Sequence, residues 1–389
     1  MPNKKYNKLD KAIYSKNNAK VMVMSRKVLL ITSIFPPQSG GPAIFTQRFG
    51  KWLKSKNYEL FTISYLNGMK SPSEDLELIE LGSNRLFSFI KFILAIKRNS
   101  DKETIILANG AFVETYLACL FTKRKYVAKI PGDQVWEIAK NKSLTTCGIE
   151  EFQNQKMRPK TYLLRRLFSV AYKNSKFVIT PSNQLKEFAT KWGVSEDKIK
   201  LIFNCVDPLE FTTNNNSIKK YDVVTVCRLV PWKGLEELIT CAKLNHFSLA
   251  IVGDGPLRTS LEKLANSDKA AIHFMGNLEN YKVSQILSQS KIFVLNSEYE
   301  ATSYALIEAK MCGLPIIAKE TSGSTIVVQN KIDGLIINKN NSDQLGQIIN
   351  NLLQDPVRID KFGSEARIDA LTRFNQEINF LQLLAVLES

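Results

Sequence analysis

Two cations five residues apart, Arg228 and Lys233, follow an apolar run at 222–227 and precede a helical pattern that opens at Gly234. A guanidinium fork, an ammonium and the free N–H groups of a helix start all donate hydrogen bonds, and together they suit the oxygens of a diphosphate. The same pair also reads as two solvated surface charges. A second turn, Gly253-Asp254-Gly255-Pro256, follows the next apolar run. Its glycines allow close backbone approach, although such turns are also ordinary chain punctuation.

The stretch Glu298-Tyr299-Glu300-Ala301-Thr302-Ser303 leads into a helical pattern from Tyr304 to Cys312, with Ser303 as N-cap and Gly313 and Pro315 as the stop. Glu308 lies inside that helix, and its neighbours one turn away, Tyr304, Ala305, Met311 and Cys312, are all uncharged. A carboxylate so placed needs a polar partner. Either a nearby protein group supplies it or the diol of a ribose does, the task of an acidic residue in dinucleotide folds. Glu300, in the loop before the helix, is positioned to accept hydroxyls of a bound sugar.

The elements that must hold these residues alternate regularly. In the second half, apolar β-type runs at 222–227, 248–252, 271–275, 292–295 and 315–318 alternate with helical patterns at 235–244, 257–265, 281–288 and 304–312. The first half repeats the theme with runs near 28–32, 59–64, 104–107, 126–130, 177–180 and 199–203. Nearly all-apolar strands alternating with helices predict parallel sheets covered on both faces, and such sheets bind ligands beyond their carboxyl ends. The fold class expected is α/β, with two Rossmann-like lobes facing a central cleft. A basic flexible arm is expected at 1–26, the first lobe at 27–206, a hinge at 207–220 and the second lobe at 221–365. The helical segment at 366–389 is able to pack back on the first lobe.

Taken in order, Arg228-x4-Lys233-Gly234, the Gly-Asp-Gly-Pro turn and Glu300-x7-Glu308 resemble the retaining glycosyltransferases of family 4, which have the GT-B fold. Asn204-Cys205-Val206-Asp207 matches the family's Asn-Gly-Val-Asp at the lobe junction, and 272–278 its strand ending in Phe-x-Gly. The resemblance spans about residues 27–370. It implies a nucleotide-sugar donor held by the second lobe and a sugar or lipid-linked acceptor held by the first. Arg228 and Lys233 would neutralise the donor diphosphate, Glu308 would hold the ribose and Glu300 the transferred sugar. Asn277 and Leu278 would meet the nucleobase, Gly253 and Gly255 would border the donor, and Thr302 and Ser303 would join its contacts. Ser39-Gly40-Gly41-Pro42 looks like the family's Gly-rich loop, with Gly40 and Gly41 closing on the diphosphate.

The chain departs from the family in three places. It has no first-lobe His near the reacting sugar; the corresponding stretch runs from Lys129 through Asp133 to Glu137. Asp133 is expected either to orient donor or acceptor, as a catalytic residue, or to serve as a turn residue after Pro131-Gly132. Ala301 replaces a Gly, and so does Cys205. In this family the leaving diphosphate is thought to help deprotonate the attacking hydroxyl, so positioning and charge stabilisation would carry the reaction.

Charge is unevenly spread: residues 1–206 hold 35 basic and 16 acidic residues, whereas residues 207–389 hold 18 and 21. Within the first half the cations gather in the arm, at Lys123-Arg124-Lys125 and in 157–176, where they mix with Tyr162, Leu163, Leu164, Leu167 and Phe168. An anionic membrane surface suits that mixture, and a solvated helix packed on its own lobe is the other account of it. The expected location is the cytoplasmic face of a membrane, peripherally bound.

Other classes fit less well. No nucleic-acid-binding module is recognisable, so that partner is not expected. No 18-residue uncharged apolar stretch predicts a membrane span, and the apolar run at 28–35 is followed by Pro36-Pro37 rather than a cleavage site. Six scattered cysteines read as small buried residues of a reducing compartment. His246 and His273 stand far from any Cys pair and no Asp-x-Asp occurs, so neither a metal nor another cofactor is expected. A dehydrogenase is disfavoured because no G-x-G-x-x-G follows the first strand. A non-catalytic nucleotide-sugar-binding protein and a nucleotide-sugar epimerase are the alternatives on the same fold.

Overall fold

The computed structural model describes residues 26–36, 38, 40–66, 75–213, 218–266, 271–300, 302–338 and 344–389. Residues 1–25 of the expected basic arm, Ser39, residues 214–217 of the expected hinge and the Ala301 substitution lie outside the described residues.

Two parallel sheets organise the chain. The first comprises β1 (Lys27–Thr32), β2 (Glu59–Leu66), β3 (Leu76–Glu80), β4 (Ile105–Asn109), β5 (Val127–Lys129), β6 (Phe177–Thr180) and β7 (Ile199–Leu201), in spatial order 3-2-1-4-5-6-7. The second comprises β8 (Tyr221–Val226), β9 (Leu249–Val252), β10 (Ile272–Gly276), β11 (Ser290–Leu295), β12 (Ile316–Lys319) and β13 (Gly334–Ile337), in order 10-9-8-11-12-13. Every pairing between these strands is parallel, as the apolar runs predict.

Central strands such as Val28–Ile31 and Ile292–Leu295 are buried on both faces, which is why they read as unbroken apolar runs. The edge strands β3 and β13 escaped the sequence pattern. In β3, Leu-Glu-Leu-Ile-Glu, two glutamates interrupt the apolar run and only Leu76 and Ile79 are buried, as suits an edge strand.

The lobes share one continuous core at their junction. Cys205, Val206 and Phe211 pack with Tyr304, Leu306 and Ile307 of the second lobe and with Phe45 and Phe49 of the first. The chain then crosses back: Val206 N donates to Phe374 O (2.9 Å) and Gln376 N to Val206 O (3.1 Å). The final helix, Gln376–Glu388, consequently lies on the first lobe. There the Phe380 ring is 4.9 Å from that of Phe49, and Trp52 Nε1 donates to Glu377 Oε2 at 2.7 Å.

Candidate functional site

The carboxyl ends of β8 and β9 form two interlocked turns. Cys227 N donates to Val252 O at 3.0 Å, Leu229 N to Asp254 O at 3.0 Å, and Leu257 N to Leu229 O at 3.2 Å. Gly253 has φ +126°, and a Cβ there would stand 2.0 Å from Cys227 O; a Cβ at Gly255 would stand 2.4 Å from Leu229 O. Both glycines are therefore required by contact between two protein turns, whatever ligand lies beyond them. Their effect is to hold Arg228 out at the apex, exposed between two cavities.

One cavity, of about 1220 Å³, is the cleft between the lobes. Gly40, Gly41, Arg228, Lys233, Glu300 and Thr302 all line it. The other, of about 350 Å³, is bordered by Arg228, Gly253, Gly255, Asn277 and Leu278. Arg228 alone among these residues borders both.

Lys233 lies at the end of a short 3-10 turn, Pro231–Lys233, and Gly234 in the left-handed conformation turns the chain into the helix Leu235–Asn245. Its ammonium pairs with the Glu300 carboxylate, and both side chains are largely buried. Burial alone would lower the Lys233 pKa; the charge of Glu300 outweighs it and holds the pKa above its ordinary value. Glu300 is itself anchored, because Gly323 N donates to its carbonyl at 3.0 Å.

Glu308 has a protein partner: Arg48 Nη2 donates to its Oε1 at 2.7 Å, with both residues buried. Burial opposes the Arg48 charge, and Glu308 more than offsets it, raising the pKa. Glu308 lines neither cavity. Arg48 went unnoticed in the sequence, although a signal existed. In the helix Gly41–Ser55 it shares a face with the buried Phe45, Phe49 and Trp52, where an unpaired cation would be costly. Ser303 occupies the N-cap position of the helix Tyr304–Met311 without a side-chain capping bond, and it too lines neither cavity.

Asp133 is the clearest correction. It is 0 % exposed, and its Oδ1 accepts from Val135 N and Trp136 N, capping the helix Gln134–Asn141. Its Oδ2 accepts from Gln153 Nε2 at 2.8 Å and Arg165 Nη2 at 2.5 Å. With both oxygens occupied and no access to the cleft, it holds the helix rather than a substrate. The carboxylate of this stretch that does open on the cleft is Glu137, one turn along. Glu137 is exposed on the cleft wall, and its carboxyl is pushed up to about 7, first by the protein crowded around it and then by the charge of Asp133.

Two further sets of contacts join the lobes at the cleft. The Trp136 and Tyr299 rings meet at 4.4 Å between centroids. Lys129, the last residue of β5, donates from Nζ to Asn204 Oδ1 at 3.1 Å, and Asn204 Nδ2 donates to Thr302 O at 3.3 Å. Among the described residues no group of acidic, His or Cys side chains is arranged to hold a metal.

Known proteins share the two-lobed fold. Residues 208–369 match the family described as Glycosyl transferases group 1. The chain is 25% identical to a GDP-mannose-dependent monoacylated alpha-(1-6)-phosphatidylinositol monomannoside mannosyltransferase of Corynebacterium glutamicum, over 95% of this chain and 99% of that one. It is also 25% identical to the N,N'-diacetylbacillosaminyl-diphospho-undecaprenol alpha-1,3-N-acetylgalactosaminyltransferase of Campylobacter jejuni, over 54% of this chain and 60% of that one. Sucrose-phosphate synthase from Thermosynechococcus elongatus superimposes with TM-score 0.76 at 20% identity, covering 93% of this chain and 98% of its own. Anabaena HepE, crystallised with UDP and glucose, gives TM-score 0.73 at 19% identity, covering 93% and 99%. The second lobe thus matches the group 1 glycosyl transferases, and the two-lobed GT-B fold is shared almost end to end with solved structures.

Proposed function

We propose that this glycosyltransferase moves a sugar from a nucleoside-diphosphate donor to a lipid-linked acceptor, with retention of configuration, in glycan biosynthesis. The observation that carries the reading is the position of Arg228, which borders both the interlobe cleft and the smaller cavity beside Asn277 and Leu278. A nucleotide base in the smaller cavity and a sugar in the larger would put the diphosphate at Arg228, with Lys233 and Glu300 just inside the cleft. The transferred sugar would meet Glu300. In the step itself the bond from the anomeric carbon to the diphosphate oxygen breaks and a bond to the acceptor oxygen forms on the same face. The acceptor's hydroxyl proton passes to the departing phosphate. Arg228 and Lys233 take the charge that builds on the leaving group, and no metal is assigned to that task.

A structural neighbour crystallised with UDP and a relative named as GDP-mannose-dependent bracket the donor classes to test. Transfer from a panel of UDP- and GDP-sugars, followed by NMR of the product's anomeric proton, is the direct experiment. An inverted product, or nucleotide binding without turnover on any acceptor, would remove the reading, and loss of activity in EDTA would remove its metal-independent part.

The acceptor class rests on the outer face of the first lobe. Three neighbouring helices, Arg85–Asn99, Phe112–Thr122 and Pro159–Asn174, expose Leu86, Phe87, Leu94, Phe121 and Leu163, with Phe121 72% exposed. Lys91, Lys123, Lys125 and Arg166 stand among them. Leu167 belongs both to this face and to the cleft wall, so the apolar surface runs into the cavity. Among the described residues no helix is long and apolar enough to cross a membrane. An anionic bilayer, with the acceptor's apolar chain entering past Leu167, suits such a face. Co-sedimentation with phosphatidylglycerol vesicles that Phe121→Glu and Leu163→Glu leave unchanged would count against it.

A further inference from the structure

We infer that Lys129 is an anion-binding residue of the cleft, supplied by the first lobe to hold a phosphoryl group of a substrate. This assignment rests on the donor–acceptor reading above and adds a ligand contact from the lobe opposite Arg228 and Lys233.

Lys129 ends β5, at the carboxyl edge of the first sheet, where open parallel sheets receive ligands. It is only 2 % exposed, and the little surface it has faces the cleft shared with Gly40, Gly41, Arg228 and Lys233. The ammonium has one neutral hydrogen-bond acceptor, Asn204 Oδ1 at 3.1 Å, and lies 4.2 Å from the centre of the Phe45 ring. Among the described residues no carboxylate pairs with it. The other buried cations of this region are matched: Arg48 by Glu308, Lys233 by Glu300 and Arg165 by Asp133.

A buried ammonium carries three donors and costs free energy unless an anion or several acceptors meet it. Here a neutral amide and a ring face meet it, and the remaining open direction is the cleft. Burial accordingly pulls its pKa down to about 8, the response of a cation whose counter-ion is missing. A phosphoryl group entering the cleft supplies that counter-ion. Because Asn204 joins Lys129 to the Thr302 carbonyl of the donor loop, ligand charge at Lys129 is also felt at the lobe junction.

Two ligands carry the required chemistry, the donor's diphosphate and the phosphate of a lipid-linked acceptor. Calorimetric titration of the full chain with UDP, GDP and farnesyl diphosphate separates them. Lys129→Met should weaken at least one of these by about 10- to 100-fold, the usual loss when a charged hydrogen bond disappears, while Lys129→Arg should retain most of the affinity. The nucleotides respond if the donor is the source, and farnesyl diphosphate responds if the acceptor is. Titration at pH 8.5 in buffers of different ionisation heat gives a second readout. Binding should draw a proton onto the wild-type protein and not onto Lys129→Met, a difference that a merely structural lysine would not produce. Wild-type binding that Lys129→Met leaves unaltered, in affinity and in proton uptake, overturns the inference alone. Failure of the wild type to bind any of the three ligands overturns the donor–acceptor reading with it.

Discussion

Arg48 of the first lobe and Glu308 of the second form a buried ion pair across the junction, with Nη2 2.7 Å from Oε1 and each side chain no more than 10% exposed. The guanidinium also lies 5.2 Å from the Tyr304 ring centre and 5.7 Å from that of Phe211. One charge thus ties together the helix Gly41–Ser55, the segment entering the second lobe and the helix Tyr304–Met311.

Removing one partner of such a pair leaves the other buried and unmatched, which costs about 3–5 kcal/mol. Arg48→Met should therefore lower unfolding stability in urea by that order. The double variant Arg48→Met/Glu308→Gln should recover part of the loss, because no lone charge remains. If the two losses simply add, the pair is not coupled in solution. A ribose competing for Glu308 has a further signature: nucleotide should protect the Arg48→Met variant more than the wild type.

Arg228 gives the opposite profile. It is exposed, and its backbone is fixed by the bonds of Cys227 and Leu229 to the neighbouring turn rather than by its side chain. Arg228→Ala should change stability by no more than about 0.5 kcal/mol. Loss of a fixed donor to developing charge costs on the order of 10²–10³ in kcat. Steady-state transfer measured beside thermal unfolding separates the two effects, and equal loss in both would show Arg228 to be a structural residue.

Asp133 should behave like neither. Replacing it with Ala removes a helix cap worth about 1 kcal/mol and leaves the Arg165 guanidinium without its carboxylate, adding a few kcal/mol. Stability should fall sharply, while kcat/KM per folded molecule changes little. Asp133→Asn keeps the capping oxygen and should recover the smaller share. A folded Asp133→Ala protein with transfer down a hundredfold would restore the residue to the reacting centre.

These contrasts mark what the sequence could and could not disclose. The sheets were legible because central parallel strands are buried on both faces, and the motif residues were legible because strand ends and helix starts fix where Arg228, Lys233 and Glu300 stand. The partner of Glu308 was not, since it comes from a helix 260 residues away in the chain. Asp133 was misjudged for a related reason. Its spacing after Pro131-Gly132 allowed a turn or a site, and Arg165, which settles the matter, belongs to a different helix. The glycines of the Gly-Asp-Gly-Pro turn were rightly linked to close approach, but what approaches them is the turn bearing Arg228. In each case local pattern located the residue and a tertiary contact decided its partner.

Lys129 links stability to pH in a way that checks its assigned state. Its folded pKa is about 8, against an ordinary value of 10.5, so between those limits the unfolded chain binds more protons than the folded one. Stability contributed through this group therefore rises as pH climbs from 8 towards 10.5, and it is lost as pH falls back through 8. Below that point the buried charge must be carried at full cost. Lys129→Met removes the cost, so at pH 7 the variant should be the more stable protein, by up to about 3 kcal/mol. The advantage should shrink steadily above pH 8 and vanish near pH 10.5. Saturating the wild type with the phosphoryl ligand should abolish the difference at pH 7, because the counter-ion then accompanies the charge. Urea unfolding of both proteins across pH 7–10, with and without nucleotide, measures all of this. A stability gap independent of pH would mean that Lys129 carries no buried, unmatched charge.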